Sequence, residues 1–212
     1  MQIELHHGDL PPNLELGPVV AIDSETMGLQ IGRDRLCLVQ LCDGSDRVHL
    51  VKFAAPPQTA TPHGAAKIDA PNLARLLASP DHEKLFHFGR FDIAVMAKHL
   101  GVVTTPVYCT KIASRLARTF TDKHGLKPLC KDLLNIDLSK EQQSSDWGRD
   151  HLTEEQMNYA AQDVIYLHRL RAILDEMLRR ENRRELATAC FQFLPHRAVL
   201  DNAGWAEDVF AH

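Results

Sequence analysis

A carboxylate interrupts the apolar side of a helix that the rest of the fold must pack against. Residues 158–170 read NYAAQDVIYLHRL, and Tyr159, Tyr166, Leu167, Leu170 and Leu174 recur at separations of three, four and seven, the repeat that lines one face of an α-helix. Asp163 falls inside that stripe. Burying a carboxylate costs several kcal/mol unless it is protonated, paired or given a cation. The plain alternatives are an acid at the edge of the stripe, an arginine partner, or a stripe drawn through the wrong residues.

Composition limits the choice. With 212 residues, 44% hydrophobic and 25% charged, the chain suits one enzyme-sized domain with a sizeable core. A formal net charge of -4 excludes coating long nucleic acid by charge alone and leaves room for a local basic site. Five cysteines, at 37, 42, 109, 130 and 190, include no CxxC pair, which predicts buried reduced thiols in place of a disulfide framework or zinc knuckle. Twelve histidines invite a zinc site, but no HxxxH pair occurs and His6-His7 is a pair near the start, so spacing predicts none. The first twenty residues hold Glu4, Asp9, Glu15 and prolines where a signal peptide needs an apolar run. No later window approaches a membrane span, so a cytoplasmic location without a membrane partner is expected.

Strands are predicted at VVAID (19–23), RLCLVQL (35–41) and RVHLV (47–51), with CDGSD turning the second into the third, which makes three neighbouring antiparallel strands. Residues 54–71, rich in Pro, Ala and Thr, break every periodicity and read as a surface loop. PNLARLLAS opens a helix at Pro71, KLFHF (84–88) is a strand, GRFDIAVMAKHLG is a helix stopped by Gly101, and 110–118 and 126–134 look helical. Thr153 and Gln156 form a capping box for the helix that carries Asp163. A meander followed by alternating elements predicts an α/β domain with a mixed central sheet flanked by helices.

Other acids interrupt apolar segments in the same way. In VVAIDSETMGL, Asp23 and Glu25 stand two apart at a strand end, so both project to one face. Asp92 sits in the first turn of a helix among Phe91, Ile93 and Val95. Singly, each has an ordinary explanation in a turn, a helix N-terminus or an ion pair. Together, Asp23, Glu25, Asp92 and Asp163 match the ligand set for two hard divalent cations.

These stretches resemble the three motifs of the DEDD superfamily of 3'-to-5' exonucleases: Asp23-Ser24-Glu25, Phe91-Asp92 after a strand, and Tyr159-Ala160-Ala161-Gln162-Asp163 with the YxxxD spacing of the tyrosine subclass. The resemblance implies a ribonuclease H-like fold. RLCLVQL, HGLKPLCKDLL, LSKEQQSSDWG and YAAQDVIYLHRL extend it to the RNase D catalytic domain over roughly 18–180. Two departures are that no chain remains for the accessory helical domains, and that Cys109-Thr110-Lys111 stands where RNase D has Asp-Thr. Together with FHFGRFD, CTKIASRLART and FQFLPHRAVLDNAGW, they make the chain similar to the compact nano-RNase C family. That resemblance implies hydrolysis of very short RNAs, including dinucleotides, within a ring-shaped homo-oligomer, an octamer.

The expected catalytic set is Asp23, Glu25, Asp92, Asp163 and Tyr159, the four acids holding two Mg2+ or Mn2+ ions because every donor is a hard oxygen. Tyr159 precedes Asp163 by one turn on the same face, so its hydroxyl orients water beside the metal; with an ordinary pKa near 10 it is a poor base. For substrate, Met27, Gly28 and Leu29 approach the terminal bases, and His87 and Arg90 meet a 5' phosphate, His87 being equally readable as a structural strand residue. Lys111, Arg115, Lys123 and His124 make a second basic group, more readily a solvated helix face, as is RRENRR at 179–184. One domain over 1–212 is expected, with 181–212 a C-terminal helical extension whose Phe191, Phe193, Leu194, Trp205 and Phe210 need a subunit interface or fold back. The alternatives are an exonuclease for longer RNA or DNA 3' ends and a non-catalytic RNA- or nucleotide-binding module.

Overall fold

A computed structural model describes residues 1–55, 67–139, 141–205 and 207–211. Apolar strand segments build one six-stranded sheet: β1 (Gln2–His7), β2 (Val19–Thr26), β3 (Leu36–Cys42), β4 (Arg47–Lys52), β5 (Glu83–Phe86) and β6 (Val107–Cys109), in the order β1-β4-β3-β2-β5-β6. The expected meander is present, β3 running antiparallel to both β2 and β4. The pairs β1-β4, β2-β5 and β5-β6 are parallel, so the sheet is mixed. All seven residues of β3 are buried, as expected of a central strand covered on both faces.

Three strand readings are corrected. The edge strand β1, QIELHH, alternates only through Ile3 and Leu5 among polar residues, too brief a signal to announce a strand, and β6 is too short to show a period. β5 stops at Phe86, two residues early, because Phe88 takes a left-handed φ of 66° that a strand cannot continue through.

The helices are α1 (Pro71–Ala78), α2 (Arg90–Leu100), α3 (Thr110–Ala117), α4 (Leu126–Leu129), α5 (Glu154–Ile165), α6 (Leu167–Arg180) and α7 (Arg184–Asn202). Pro71 opens α1, and the Asp9 carboxylate accepts from the backbone N–H of Asn72 and Leu73 at 2.8 and 2.9 Å, capping it from a distance in sequence. Gly101 ends α2 at φ 71°. Thr153 and Gln156 form the expected reciprocal box at the start of α5, at 3.2 and 3.0 Å. The helix expected over 126–134 is one α-turn followed by a π-helical turn, Cys130–Leu134, ended by Asn135 at φ 56°. Most of the expected loop at 54–71 lies outside the described residues.

The long stripe also divides. Tyr166 separates α5 from α6, and Leu167, Leu170, Leu174 and Leu178 form the buried row of α6. On α5 the buried residues are Gln156, Ala160, Ala161 and Val164, while Tyr159 and Asp163 are only half-buried. The stripe runs through two helices with different inward faces, and Asp163 stands at the margin of the core.

The C-terminal extension folds back on its own domain. Phe191, Leu194 and Ala198 of α7 are buried, and Asn202 Nδ2 donates to the Ala94 carbonyl in α2 at 2.9 Å. Arg90, at the start of α2, donates from Nε and Nη2 to the Asp201 carboxylate, both at 2.7 Å, and Arg197 donates to it at 2.7 Å. Phe193, Trp205 and Phe210 stay 37, 63 and 77% exposed. All five cysteines are free. Among the described residues no helix is long and apolar enough to cross a membrane.

Replacing fully buried Leu174 by Ala leaves a cavity under α6. Its expected cost is about 2–5 kcal/mol, read as a lower urea midpoint with an unchanged denaturant slope.

Candidate active site

Strand pleating places Asp23 and Glu25 on one face of β2, and α5 lays Asp163 against them. One oxygen of each lies within 4.8 Å of the others. Asp92, in the first turn of α2, is buried at 4% exposure. Ser24, between the two acids of β2, donates its hydroxyl to Asp92 Oδ1 at 2.6 Å. Three segments distant in sequence thereby bring four carboxylates to one place.

Their electrostatics show the strain of that convergence. Asp23 is held well above the usual carboxylate range by burial, then by the charges of Asp92, Asp163 and Glu25, against a hydrogen bond from the Ser24 backbone. Burial, then Asp163 and Asp92, push Glu25 up to about 9. Burial raises Asp92 to about 7 despite the Ser24 hydrogen bond, and burial with Asp92 raises Asp163 to about 7. The ion pairs of the described residues include none of the four, which disposes of the arginine-partner reading for Asp163. An all-oxygen, mutually repelling donor set of this kind fits a hard divalent cation.

Tyr159 stands beside them. Burial first, then Asp163, Glu25 and Asp23, push its hydroxyl above its ordinary value; near neutral pH it is a neutral phenol and a donor. The Trp147 ring lies 6.0 Å from the Tyr159 ring, centre to centre. Trp147 itself is 2% exposed, and its loop is pinned from three sides. Lys52 Nζ donates to the Trp147 carbonyl at 3.3 Å and Arg35 Nη2 to the Gly148 carbonyl at 2.9 Å. Gln156 Nε2 donates to Ser145 Oγ at 2.7 Å and to the Asp146 carbonyl at 3.1 Å.

Sequence reasoning missed Ser24, Gln40 and Trp147. Gln40, opposite Asp23 in the ladder, donates Nε2 to Asp23 Oδ2 at 3.3 Å, and its Oε1 is buried without a partner. The signal was available: Gln40 interrupts the apolar strand RLCLVQL just as the acids interrupt theirs. The π-helical turn also borders the site, since burial and then the Asp163 charge raise the Cys130 thiol to about 11.

The expected substrate residues fall around this cluster. Met27 and Leu29 are 51 and 84% exposed in the loop that leaves β2. Gly28 between them leaves room for the Asp34 carboxylate, which a Cβ there would displace. Asp34 closes that loop by accepting from the Gln30 N–H at 2.9 Å. His87 pairs its Nδ1 with Thr110 Oγ1 at 2.9 Å, and burial with the Lys111 charge pushes it down to about 3, so it is neutral. Arg90 engages Asp201 as described. Lys111 sits over the exposed Phe88 ring, 4.0 Å from its centre. Arg179 pairs with Glu176 and Arg183 donates to the Leu116 carbonyl at 2.6 Å, so RRENRR is occupied at a helix end.

A carboxylate cluster fit for divalent cations, on a mixed sheet with helices against it, is the architecture of the DEDD exonuclease fold. The chain belongs to the 3'-5' exonuclease family, whose profile matches residues 9–179. It is similar over its whole length to the Brucella melitensis protein NrnC: 46% identical to the structure with bound Mg2+, covering 100% of both chains at a TM-score of 0.90. To the NrnC structure bound to pGG it is 47% identical, covering 100% of this chain and 99% of that one at a TM-score of 0.90. Ribonuclease D of Granulibacter bethesdensis is 32% identical over 166 residues, 78% of this chain. The chain spans only 39% of that curated relative's length.

The raised acids give a pH signature. A carboxylate whose folded pKa is raised contributes stability that is present below its unfolded value, near 4, and lost as pH rises through the folded value. Metal-free protein is therefore expected to lose stability as pH rises through about 7 and on toward 9, following Asp92, Asp163 and Glu25. Thermal melts with and without Mg2+ should show a shift that is small below about pH 5 and grows through pH 7. Asp163→Asn should flatten that growth.

Proposed function

We propose that this protein is a metal-dependent 3'-to-5' exoribonuclease that hydrolyses short oligoribonucleotides, down to dinucleotides, to 5'-mononucleotides in the cytoplasm. The observation that carries the reading is the convergence of Asp23, Glu25 and Asp163 oxygens within 4.8 Å, with Asp92 tied in by Ser24. Full-length similarity to NrnC structures with Mg2+ and with pGG supports the metal and the short substrate.

Asp23, Glu25, Asp92 and Asp163 would hold two divalent ions, Mg2+ or Mn2+. When bound, such ions supply positive charge to the attacking and leaving oxygens and a more acidic water. The chain's own groups do the positioning. Gln40 and Ser24 fix the rotamers of Asp23 and Asp92. Tyr159, neutral and buttressed by Trp147, donates a hydrogen bond that orients the attacking water without taking its proton. Met27, Gly28 and Leu29 meet the terminal bases, neutral His87 offers a hydrogen bond to the 5' phosphate, and Arg90, aligned by Asp201, lends it charge.

The exposed Phe193, Trp205 and Phe210 on the folded-back extension suit a contact between copies in a ring-shaped homo-oligomer, an octamer. The identity with ribonuclease D favours a second reading, action on longer RNA 3' ends, with DNA as a further substrate class.

Labelled RNAs of two to ten nucleotides, with matched DNA, separate these readings when products are resolved over time in Mg2+ or EDTA. The fastest turnover is expected on the shortest RNA and none in EDTA; a rate that holds steady with length would favour the second reading. Tyr159→Phe is expected to retain Mg2+ affinity by calorimetry and lose on the order of 10²-fold in turnover, the scale of a misplaced reactant, whereas Asp163→Asn weakens both. Light scattering should find an oligomer that deletion of residues 195–212 disrupts; a monodisperse monomer would refute the ring.

A further inference from the structure

A second cluster of ligand atoms lies on the other face of the sheet. Asp23, Gln40, Leu50 and Leu5 are linked in register across β2, β3, β4 and β1. His49 and Glu4, one residue removed and paired with each other, therefore face the opposite side. His6, two residues after Glu4 on edge strand β1, joins them there. His6 Nε2 and His49 Nδ1 are 3.0 Å apart, and Glu4 Oε2 is 3.5 Å from His49 Nδ1. The three ligand atoms all lie within 4.8 Å of one another.

We propose that Glu4, His6 and His49 form a second metal site, one for a Zn2+-type transition-metal ion that fastens edge strand β1 to β4. Two imidazoles can share a proton without any metal, but His49 Nδ1 faces both the His6 nitrogen and the Glu4 carboxylate. A single ring nitrogen has one proton or one lone pair, which it must divide between them in a weaker three-centre contact. A cation among the three serves all of them at once. Around Zn2+ bound at about 2.0–2.1 Å in a tetrahedron, ligand atoms sit roughly 3.3–3.4 Å apart, and the observed 3.0 and 3.5 Å bracket that spacing. Nitrogen donors select a borderline ion over Mg2+, so this site differs in kind from the all-oxygen cluster on the other face.

The surroundings suit that role. Glu4 turns its other oxygen, Oε1, to Arg47 Nε at 3.3 Å, which aims Oε2 at the histidines as an outer partner aims a ligand. His49 is 2% exposed, whereas Glu4 and His6 are half-buried and leave a path for the ion. No residue of β1 is fully buried, and of its two apolar side chains Leu5 is exposed and only Ile3 packs on the core, so an ion bridging β1 to β4 adds to what packing supplies.

The test uses metal-stripped full-length protein with Mg2+ in excess to occupy the oxygen cluster. Adding Co2+ should give one equivalent of intense visible absorption from a tetrahedral nitrogen-containing site, and Zn2+ should displace it and raise the melting temperature. His6→Ala and the isosteric Glu4→Gln should each weaken Zn2+ binding by more than the roughly 10–100-fold that loss of an outer partner costs. Both should keep the Mg2+-supported rate on RNA. Asp163→Asn should keep the Co2+ band. No intense band in the wild-type protein, a band unchanged in both His6→Ala and Glu4→Gln, or a band lost in Asp163→Asn would overturn the site.

Discussion

Like charges held close together organise this molecule. Asp23, Glu25, Asp92 and Asp163 come from β2, α2 and α5, and each raises the cost of ionising another. Nothing in the apolar core requires them to meet; the fold spends packing energy to bring them together. Such an arrangement persists only where cations or protons compensate it, and that requirement explains why the surrounding polar groups are placed as donors. Ser24 and Gln40 both present hydrogen toward carboxylate oxygen.

Around the acids, rigidity comes from buried polar contacts. Lys52, Arg35 and Gln156 each reach the loop around Trp147, and Trp147 in turn backs Tyr159. The capping box places Gln156 at the start of α5, so one side chain both begins that helix and anchors the loop that supports its tyrosine. Position along the helix axis and orientation of the phenol are set together.

Much of this was legible in the sequence for a definite reason. Acids interrupting apolar periodicity stand out because the period itself is strong, as at Asp23 in VVAID and Asp92 in RFDIAVMAKHL. The meander and the caps at Pro71, Gly101 and Thr153 were local and equally readable. What escaped depended on distant partners. β1 alternates only through Ile3 and Leu5 and is defined by pairing with β4; Phe88 ends β5 through a backbone angle that no residue pattern states. The stripe from Tyr159 to Leu174 was periodic yet wrong in detail, because a break at Tyr166 preserves spacing while turning the inward face. The cluster of Glu4, His6 and His49 joins residues up to 45 positions apart, which no ligand-spacing rule along the chain can find. The Asp201 carboxylate that aligns Arg90 lies 111 positions further along the chain, so no local pattern announces it.

That last pairing joins the two ends of the molecule's architecture. Arg90 opens α2, two residues before Asp92, and its guanidinium grips a carboxylate near the close of α7 with Arg197 alongside. A displacement of α7 would therefore bear directly on the first turn of α2, the turn that presents Asp92. Together with Asn202, which donates to the Ala94 carbonyl, Arg90 ties the exposed end of α7 to the helix that carries Asp92.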